Sequence, residues 1–282
     1  MILALASGKG GTGKTTISTS LAWTLAGDGQ RLTLADCDVE EPNCHLFLST
    51  QAITSKTVSV PIPYIDPNKC TNCGACSDVC RFNALACLPK KVVVAEELCH
   101  GCGACGLACP TGAISETTRV VGKIESGRHD KFPLITGKLR VGEAMSVPLI
   151  RAVKKAAGAS DLVILDAPPG TTCPVIAAVK GVDFVLLVTE PTPFGLNDLR
   201  LAVELVRQLD LPFAVALNRS DVGDDGVRDY CRSEKIDILL EIPNDRRVAE
   251  AYSRGRIVAE SCPQYREQFR GLYKAIKERC EV

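Results

Sequence analysis

Eight cysteines of this 282-residue chain fall into two copies of one pattern. The first copy reads Cys70-Thr-Asn-Cys73-Gly-Ala-Cys76-Ser-Asp-Val-Cys80, the second Cys99-His-Gly-Cys102-Gly-Ala-Cys105-Gly-Leu-Ala-Cys109-Pro110. C-x2-C-x2-C-x3-C is the spacing at which thiolates hold paired 4Fe-4S cubanes, the fourth Cys of each run ligating the other cluster. One cluster is therefore expected on Cys70, Cys73, Cys76 and Cys109, the other on Cys99, Cys102, Cys105 and Cys80. Zinc also takes C-x2-C pairs, but three cysteines in each tight run, a remote fourth and Pro110 favour iron. Cys80 is followed by Arg81 rather than proline, which bears on solvent access and not on ligation. The segment has few large apolar residues, so it is expected to fold around its clusters rather than around a core.

The cysteines interrupt a different rhythm. Ile2–Ala6 is a short apolar run, read as a buried parallel strand. Gly8-Lys9-Gly10-Gly11-Thr12-Gly13-Lys14-Thr15 follows, and Thr15–Ala26 has helical apolar spacing. Strand, G-x-x-x-x-G-K-T and helix together make a phosphate-binding loop. Its glycines let backbone N–H groups approach phosphate oxygens, and the helix N-terminus adds positive potential. Lys14 is expected on the β- and γ-phosphates, and the Thr15 hydroxyl on Mg²⁺. Arg31–Ala35 reads as a second strand. Val60-Pro-Ile-Pro63 and Asp66-Pro67 read as breakers that introduce the cysteines.

After Pro110, Arg119–Glu125 and Phe132–Val141 read as two strands, then Val147–Ala157 as a helix. Strands Leu162–Leu165, Phe184–Thr189, Phe213–Asn218 and Ile238–Ile242 alternate with helices near Pro174–Lys180, Leu196–Leu209, Gly226–Glu234 and Gln264–Arg279. The expected fold class is α/β: a doubly wound, mostly parallel sheet of the P-loop NTPase type with an inserted bacterial-type 2x4Fe-4S ferredoxin domain. Residues 1–59 and 119–282 form the discontinuous ATPase domain, and 60–118 the insert.

Val163-Ile-Leu-Asp166 is apolar up to an acid at a strand end, which places Asp166 on Mg²⁺, and Ala-Pro-Pro-Gly170 after it suits a γ-phosphate sensor. Asp36 and Asp38 follow a strand two apart. One would orient the attacking water and the other hold a metal-bound water; a helix N-cap is the alternative for either. Seven cysteines remain outside the cluster motifs. Cys44, Cys87, Cys231, Cys262 and Cys280 read as small apolar residues, and Cys37 and Cys173 stand apart because each lies beside a nucleotide-sensing segment. His100 and Cys87 read as bystanders to the clusters.

Lys9-Gly-Gly-Thr-Gly-Lys14-Thr15-Thr16 resembles the deviant Walker A motif of the MinD/ParA/Mrp superfamily, which includes the nitrogenase iron protein and iron–sulfur carrier ATPases. The resemblance extends to Asp36-x-Asp38, to Asp166-x-Pro-Pro-Gly170 and to Leu217-Asn218-Arg219, and covers nearly all of the chain outside the insert. It implies that Lys9 reaches a partner's phosphates across an ATP-dependent homodimer and that Asp38 positions water. It also implies that Asn218 reads the adenine edge beside Arg219, and that Pro243 and Asn244 flank the base. Cys173, seven residues beyond Asp166, is similar in offset to a cluster-ligating Cys of the nitrogenase iron protein, although a structural thiol is the simpler reading.

Lys+Arg equals Asp+Glu at 33 each, so no charge excess argues for bulk nucleic-acid or anionic-membrane binding. No apolar run of about 18 residues suggests a membrane span. The first strand leads straight into the phosphate loop, leaving no room for a signal peptide, so the cysteines read as metal ligands in a reducing cytoplasm. The leading expectation is a Mg²⁺-dependent ATPase whose dimerisation gates electron transfer through two 4Fe-4S clusters to a redox or metalloprotein partner docked near the insert. The alternative is an ATP-dependent assembly or delivery factor for an iron–sulfur or other metal cofactor. A cobyrinate-type amide synthase would need a glutaminase domain for which the chain has no room.

Overall fold

The first strand, β1 (Ile2–Ser7), alternates Leu3 and Leu5 with Ala4 and Ala6, all buried. A strand buried on both faces is central, and every later element is arranged around it. The structure, a computed structural model, describes residues 1–158 and 160–280. After β1 come α1 (Lys14–Gly27), β2 (Leu32–Asp36), the short α2 (Cys44–Phe47) and β3 (Gln51–Ile65). The cysteine segment holds α3 (Ala75–Val79), the hairpin β4 (Leu85–Leu88) and β5 (Lys91–Val94), and α4 (Ala104–Ala108). The chain returns through β6 (Ile114–Arg128) and β7 (Pro133–Leu139) to α5 (Val147–Ala156). Then follow β8 (Leu162–Pro169), α6 (Cys173–Val179), β9 (Phe184–Thr189), α7 (Pro193–Gln208), β10 (Phe213–Asn218), α8 (Gly226–Ser233) and β11 (Ile238–Ile242). Helices α9 (Arg246–Ser253), α10 (Val258–Ser261) and α11 (Arg266–Cys280) finish the described chain.

Nine strands form one sheet in the order β11-β10-β9-β1-β8-β2-β7-β6-β3. The run from β11 to β7 is parallel, and β6 and β3 are antiparallel additions. Period-two alternation sends Leu3, Leu5, Leu34 and Ile164 to one face, where α1 and α11 pack through Ile17, Leu21, Phe269, Leu272 and Ile276. The apolar stripe of the terminal helix is therefore core. Ala4, Ala35, Val163 and Leu165 go to the other face, under α5, α6, α7 and α8. Each such large side chain contributes roughly 1.5–3 kcal/mol on burial.

One expectation is corrected here. Val60–Pro63 is not a break: β3 runs unbroken from Gln51 to Ile65 and pairs with β6 from Gln51↔Arg128 to Ile65↔Ile114. Pro61 and Pro63 are tolerated because β3 is the sheet's edge, where alternate N–H groups have no partner strand to serve. Likewise β6 begins at Ile114 rather than Arg119. The expected boundaries at 59/60 and 118/119 thus fall inside ribbon strands, and residues 66–113 sit at the ribbon's tip. Where the ribbon leaves the sheet, buried Arg119 is ion-paired with buried Glu143, which also accepts from the Met145 amide at 3.0 Å.

Candidate functional site

Parallel strands deliver their C-terminal ends to one edge of the sheet, and the loops there form the site. The loop after β1 carries Gly8 through Thr15 and opens α1. Gly8 packs so tightly on α7 that a Cβ would stand 2.2 Å from the Asp198 carbonyl oxygen. Gly11 and Gly13 have φ of 78° and 96°, the left-handed region that glycine adopts without strain. Lys14 is buried with only 7% of its surface exposed. Thr15 and Thr16 follow in the first turn of α1.

Strands β2 and β8 are in register at Asp36↔Asp166, which brings the two predicted acids side by side. Both are buried. Thr15 Oγ1 donates to Asp166 Oδ2 at 2.6 Å. Asp36 accepts from the Asp38 amide at 3.2 Å and from the Cys44 amide at 2.9 Å. Asp166 Oδ1 is buried and has no hydrogen-bond partner. Burial, and then the neighbouring Asp166 charge, hold the Asp36 carboxyl well above the usual carboxylate range. Burial also raises Asp166, against the opposing pull of Lys14 and Thr15. A divalent cation relieves both costs, so Thr15, Asp36 and Asp166 fit the Mg²⁺ role that their chemistry suggests. Asp38 is partly exposed, and burial pushes it up to about 6 even though Lys14 draws it down. Gly170, with φ 97°, donates its amide to the Ser7 carbonyl at 2.9 Å, so the turn after β8 closes on the loop after β1.

Lys9 is partly exposed and has no carboxylate within ion-pair distance among the described residues. Asn218, at the end of β10, donates from Nδ2 to the Thr12 carbonyl at 2.9 Å; the amide expected to read a base here braces the phosphate loop. Arg219 pairs with Glu190 at 3.0 Å. Pro243 and Asn244 are exposed beyond β11, beside the end of β10 because Asn218 is in register with Ile242. Cys173 is exposed as the first residue of α6, whereas Cys37 is buried with its thiol pushed up by burial and by Asp36. Sequence reasoning read Cys44 as a small apolar residue, and it is buried, but its contact with the acid pair was not foreseen. Its thiol is buried at 3.5 Å from Asp166 Oδ2, a contact created by α2 folding back on the strand ends.

The cysteine segment repeats itself in structure. Gly74 and Gly103, with φ of 84° and 75°, start α3 and α4, and the third cysteine of each motif lies in the first turn. The Ala84 amide donates to Cys80 Sγ and the Ala113 amide to Cys109 Sγ, both at 3.3 Å. The Thr111 hydroxyl and that amide lower the Cys109 thiol, while burial raises Cys76 and Cys105. Two cavities result. One is lined by Cys70, Cys73, Cys76 and Cys109, the other by Cys99, Cys102, Cys105 and Cys80. Each gathers three thiols of one motif and the last thiol of the other. A single tetrahedral Zn²⁺ would hold its sulfurs about 3.8 Å apart. No three of these thiols lie within 4.8 Å of one another, so the donor sets fit a larger group such as a cubane. His100 stacks on Phe82 at 3.7 Å beside the second cavity.

Comparison with known proteins places these features in a family. Residues 3–258 match the family described as the CobQ/CobB/MinD/ParA nucleotide binding domain. An uncharacterised protein of Methanocaldococcus jannaschii is 34% identical over 259 residues, covering 90% of both chains. The iron-sulfur cluster carrier protein of Pyrococcus horikoshii is 23% identical over 90% of this chain and 77% of its own. Among solved structures, the septum site-determining protein MinD of Pyrococcus horikoshii, complexed with Mg-ADP, superposes with a TM-score of 0.62 at 18% identity. That match covers 98% of this chain and 95% of that one. No helix among the described residues is long and apolar enough to cross a membrane.

Proposed function

Because the chain belongs to the CobQ/CobB/MinD/ParA nucleotide-binding family, we propose that it is a Mg²⁺-dependent ATPase that assembles or delivers an iron–sulfur or other metal cofactor, with two 4Fe-4S clusters held in an inserted ferredoxin domain. The observation that carries the cluster part of the reading is the pairing of thiols, since each cavity is completed by the fourth cysteine of the other motif. Relatives named iron-sulfur cluster carrier proteins support delivery as the purpose of the ATPase.

In this reading the loop amides and Lys14 bind the phosphates, and Thr15, Asp36 and Asp166 hold Mg²⁺. Asp38 orients the attacking water. Lys9, with no ion-pair partner among the described residues, serves the phosphates of a partner copy, so ATP binding favours a homodimer. The bound clusters supply one-electron chemistry or iron. Movement of the Asp36–Asp38 segment reaches the insert through the Asp36–Cys44 hydrogen bond, because α2 is followed four residues later by β3. A client metalloprotein docks near the ribbon's tip. The protein acts in the cytoplasm.

A second reading, in which permanent clusters relay electrons to a partner metalloprotein, draws on the same thiol sets, because two complete four-thiol sites suit resident clusters. An iron-transfer experiment separates the two. The chain is loaded with 57Fe, mixed with an apo-ferredoxin acceptor and Mg·ATP, and re-separated. Delivery predicts ATP-dependent appearance of 57Fe in the acceptor. Full retention of 57Fe, with reduction of an acceptor already carrying its cluster, supports relay and overturns delivery.

A further inference from the structure

A thiol stands inside the cation site. Cys44 opens α2 and is fully buried. Its amide is bound to Asp36 at 2.9 Å, and its thiol donates to Asp166 Oδ2 at 3.5 Å. One ligand atom from each of Asp36, Cys44 and Asp166 lies within 4.8 Å of the other two. An independent observation points to a missing ligand: Asp166 Oδ1 is buried without any hydrogen-bond partner.

Mg²⁺ has no use for the sulfur, because it takes an octahedron of oxygens and dehydrates reluctantly. A thiophilic ion has a use for it. A Zn–S bond of about 2.3 Å and a Zn–O bond of about 2.0 Å at the tetrahedral angle set sulfur and oxygen about 3.5 Å apart. Cys44 Sγ and Asp166 Oδ2 already have that separation. Asp36 offers a third ligand, and the Thr15 hydroxyl or water completes the shell.

We propose that Asp36, Cys44 and Asp166 form a site for a thiophilic first-row divalent cation, such as Fe²⁺, Co²⁺ or Zn²⁺, which takes the place of Mg²⁺. The proposal rests on the reading of Asp36 and Asp166 as the Mg²⁺ acids. Binding exchanges the thiol proton for a metal–sulfur bond: M²⁺ plus Cys44–SH gives M²⁺–S–Cys44 plus H⁺ released to solvent, with no change of oxidation state. An ion held this way ties α2 to the ends of β2 and β8. It therefore pins the segment that must move with nucleotide state and halts turnover while it is bound. Softer ions prevail here because affinity for a mixed N/O/S site rises along the first-row divalent series and thiolate rewards softness.

The test uses the cluster-loaded chain with its iron content verified, one equivalent of Zn²⁺, and zinc K-edge absorption. The expected shell has one sulfur at about 2.3 Å with oxygens around it. Cys44→Ser removes that sulfur and lowers Zn²⁺ affinity at least tenfold more than Mg²⁺ affinity; Cys44→Ala, a second variant, does the same. A shell of three or four sulfurs puts the zinc in the cysteine segment and overturns the proposal. So does an oxygen-only shell in the unsubstituted chain, or an unchanged Zn²⁺ affinity in both variants. Asp166→Asn reports separately on the underlying reading: if Mg²⁺-dependent nucleotide binding survives it, the carboxylates are not the cation site at all.

Discussion

Replacing Asp166 by Asn should stabilise the nucleotide-free protein while removing its response to Mg²⁺. Asp36 and Asp166 lie in register on adjacent strands, with ligand oxygens no more than 4.8 Å apart. At that separation and an effective dielectric near 20, two full charges repel by about 3 kcal/mol. Proton uptake relieves part of this, so about 2 kcal/mol should be recovered when one carboxylate becomes an amide. For a chain of this size that corresponds to roughly 4–8 °C in Tm. The sign with pH follows from the raised carboxyls. Both folded-state pKa values lie above their unfolded values. The unsubstituted protein therefore loses stability as pH rises from the ordinary carboxylate range through the raised folded values, and the variant loses less. Thermal melts from pH 4 to 8, with and without Mg·ADP, measure both effects. The unsubstituted chain should gain strongly from Mg·ADP and Asp166→Asn little. A nucleotide-free variant that melts below the unsubstituted protein across this range would refute the reasoning.

Lys9→Ala should keep nucleotide binding but lose hydrolysis and dimerisation, whereas Lys14→Ala should lose tight phosphate binding; calorimetry and gel filtration with ATP distinguish them. Arg119→Ala leaves buried Glu143 only its longer pair with Arg140 at 3.6 Å and the Met145 amide, and should cost about 1–3 kcal/mol in chemical denaturation. Gly8→Ala, whose Cβ would meet the Asp198 carbonyl oxygen at 2.2 Å, should cost about 1–3 kcal/mol and weaken ATP binding. On the proposed reading, oxidative loss of the clusters should expose residues 66–113 to protease while ATP binding remains measurable, because thiolate ligation would add folding free energy to a segment whose own apolar cluster is small.

The parallel core was legible in sequence because its strands are continuous apolar runs, and Phe184–Thr189, Phe213–Asn218 and Ile238–Ile242 have the bounds expected. The phosphate loop and Asp166 were legible because both sit at strand ends that the apolar pattern defines. The grouping of thiols followed from motif spacing. The ribbon was not legible: Pro61 and Pro63 signal a break to any local reading, and only the edge position of β3, a property of the whole sheet, makes them harmless. Helix α2 is four residues long and shows no period, so the approach of Cys44 to Asp166 exists only in three dimensions. Asn218 was marked as a site residue, but its bond to the Thr12 carbonyl depends on how closely β10 approaches the loop.

The central claim, that two complete cubanes sit in the thiol sets of the ribbon's tip, is tested most directly by 57Fe Mössbauer spectroscopy of the anaerobically reconstituted chain with parallel iron counting. The account predicts about eight irons per chain, all in 4Fe-4S environments. It further predicts that Cys109→Ser disrupts the cluster of Cys70, Cys73 and Cys76 rather than that of its own motif. Zinc in place of iron, or a single cluster per chain, would contradict it.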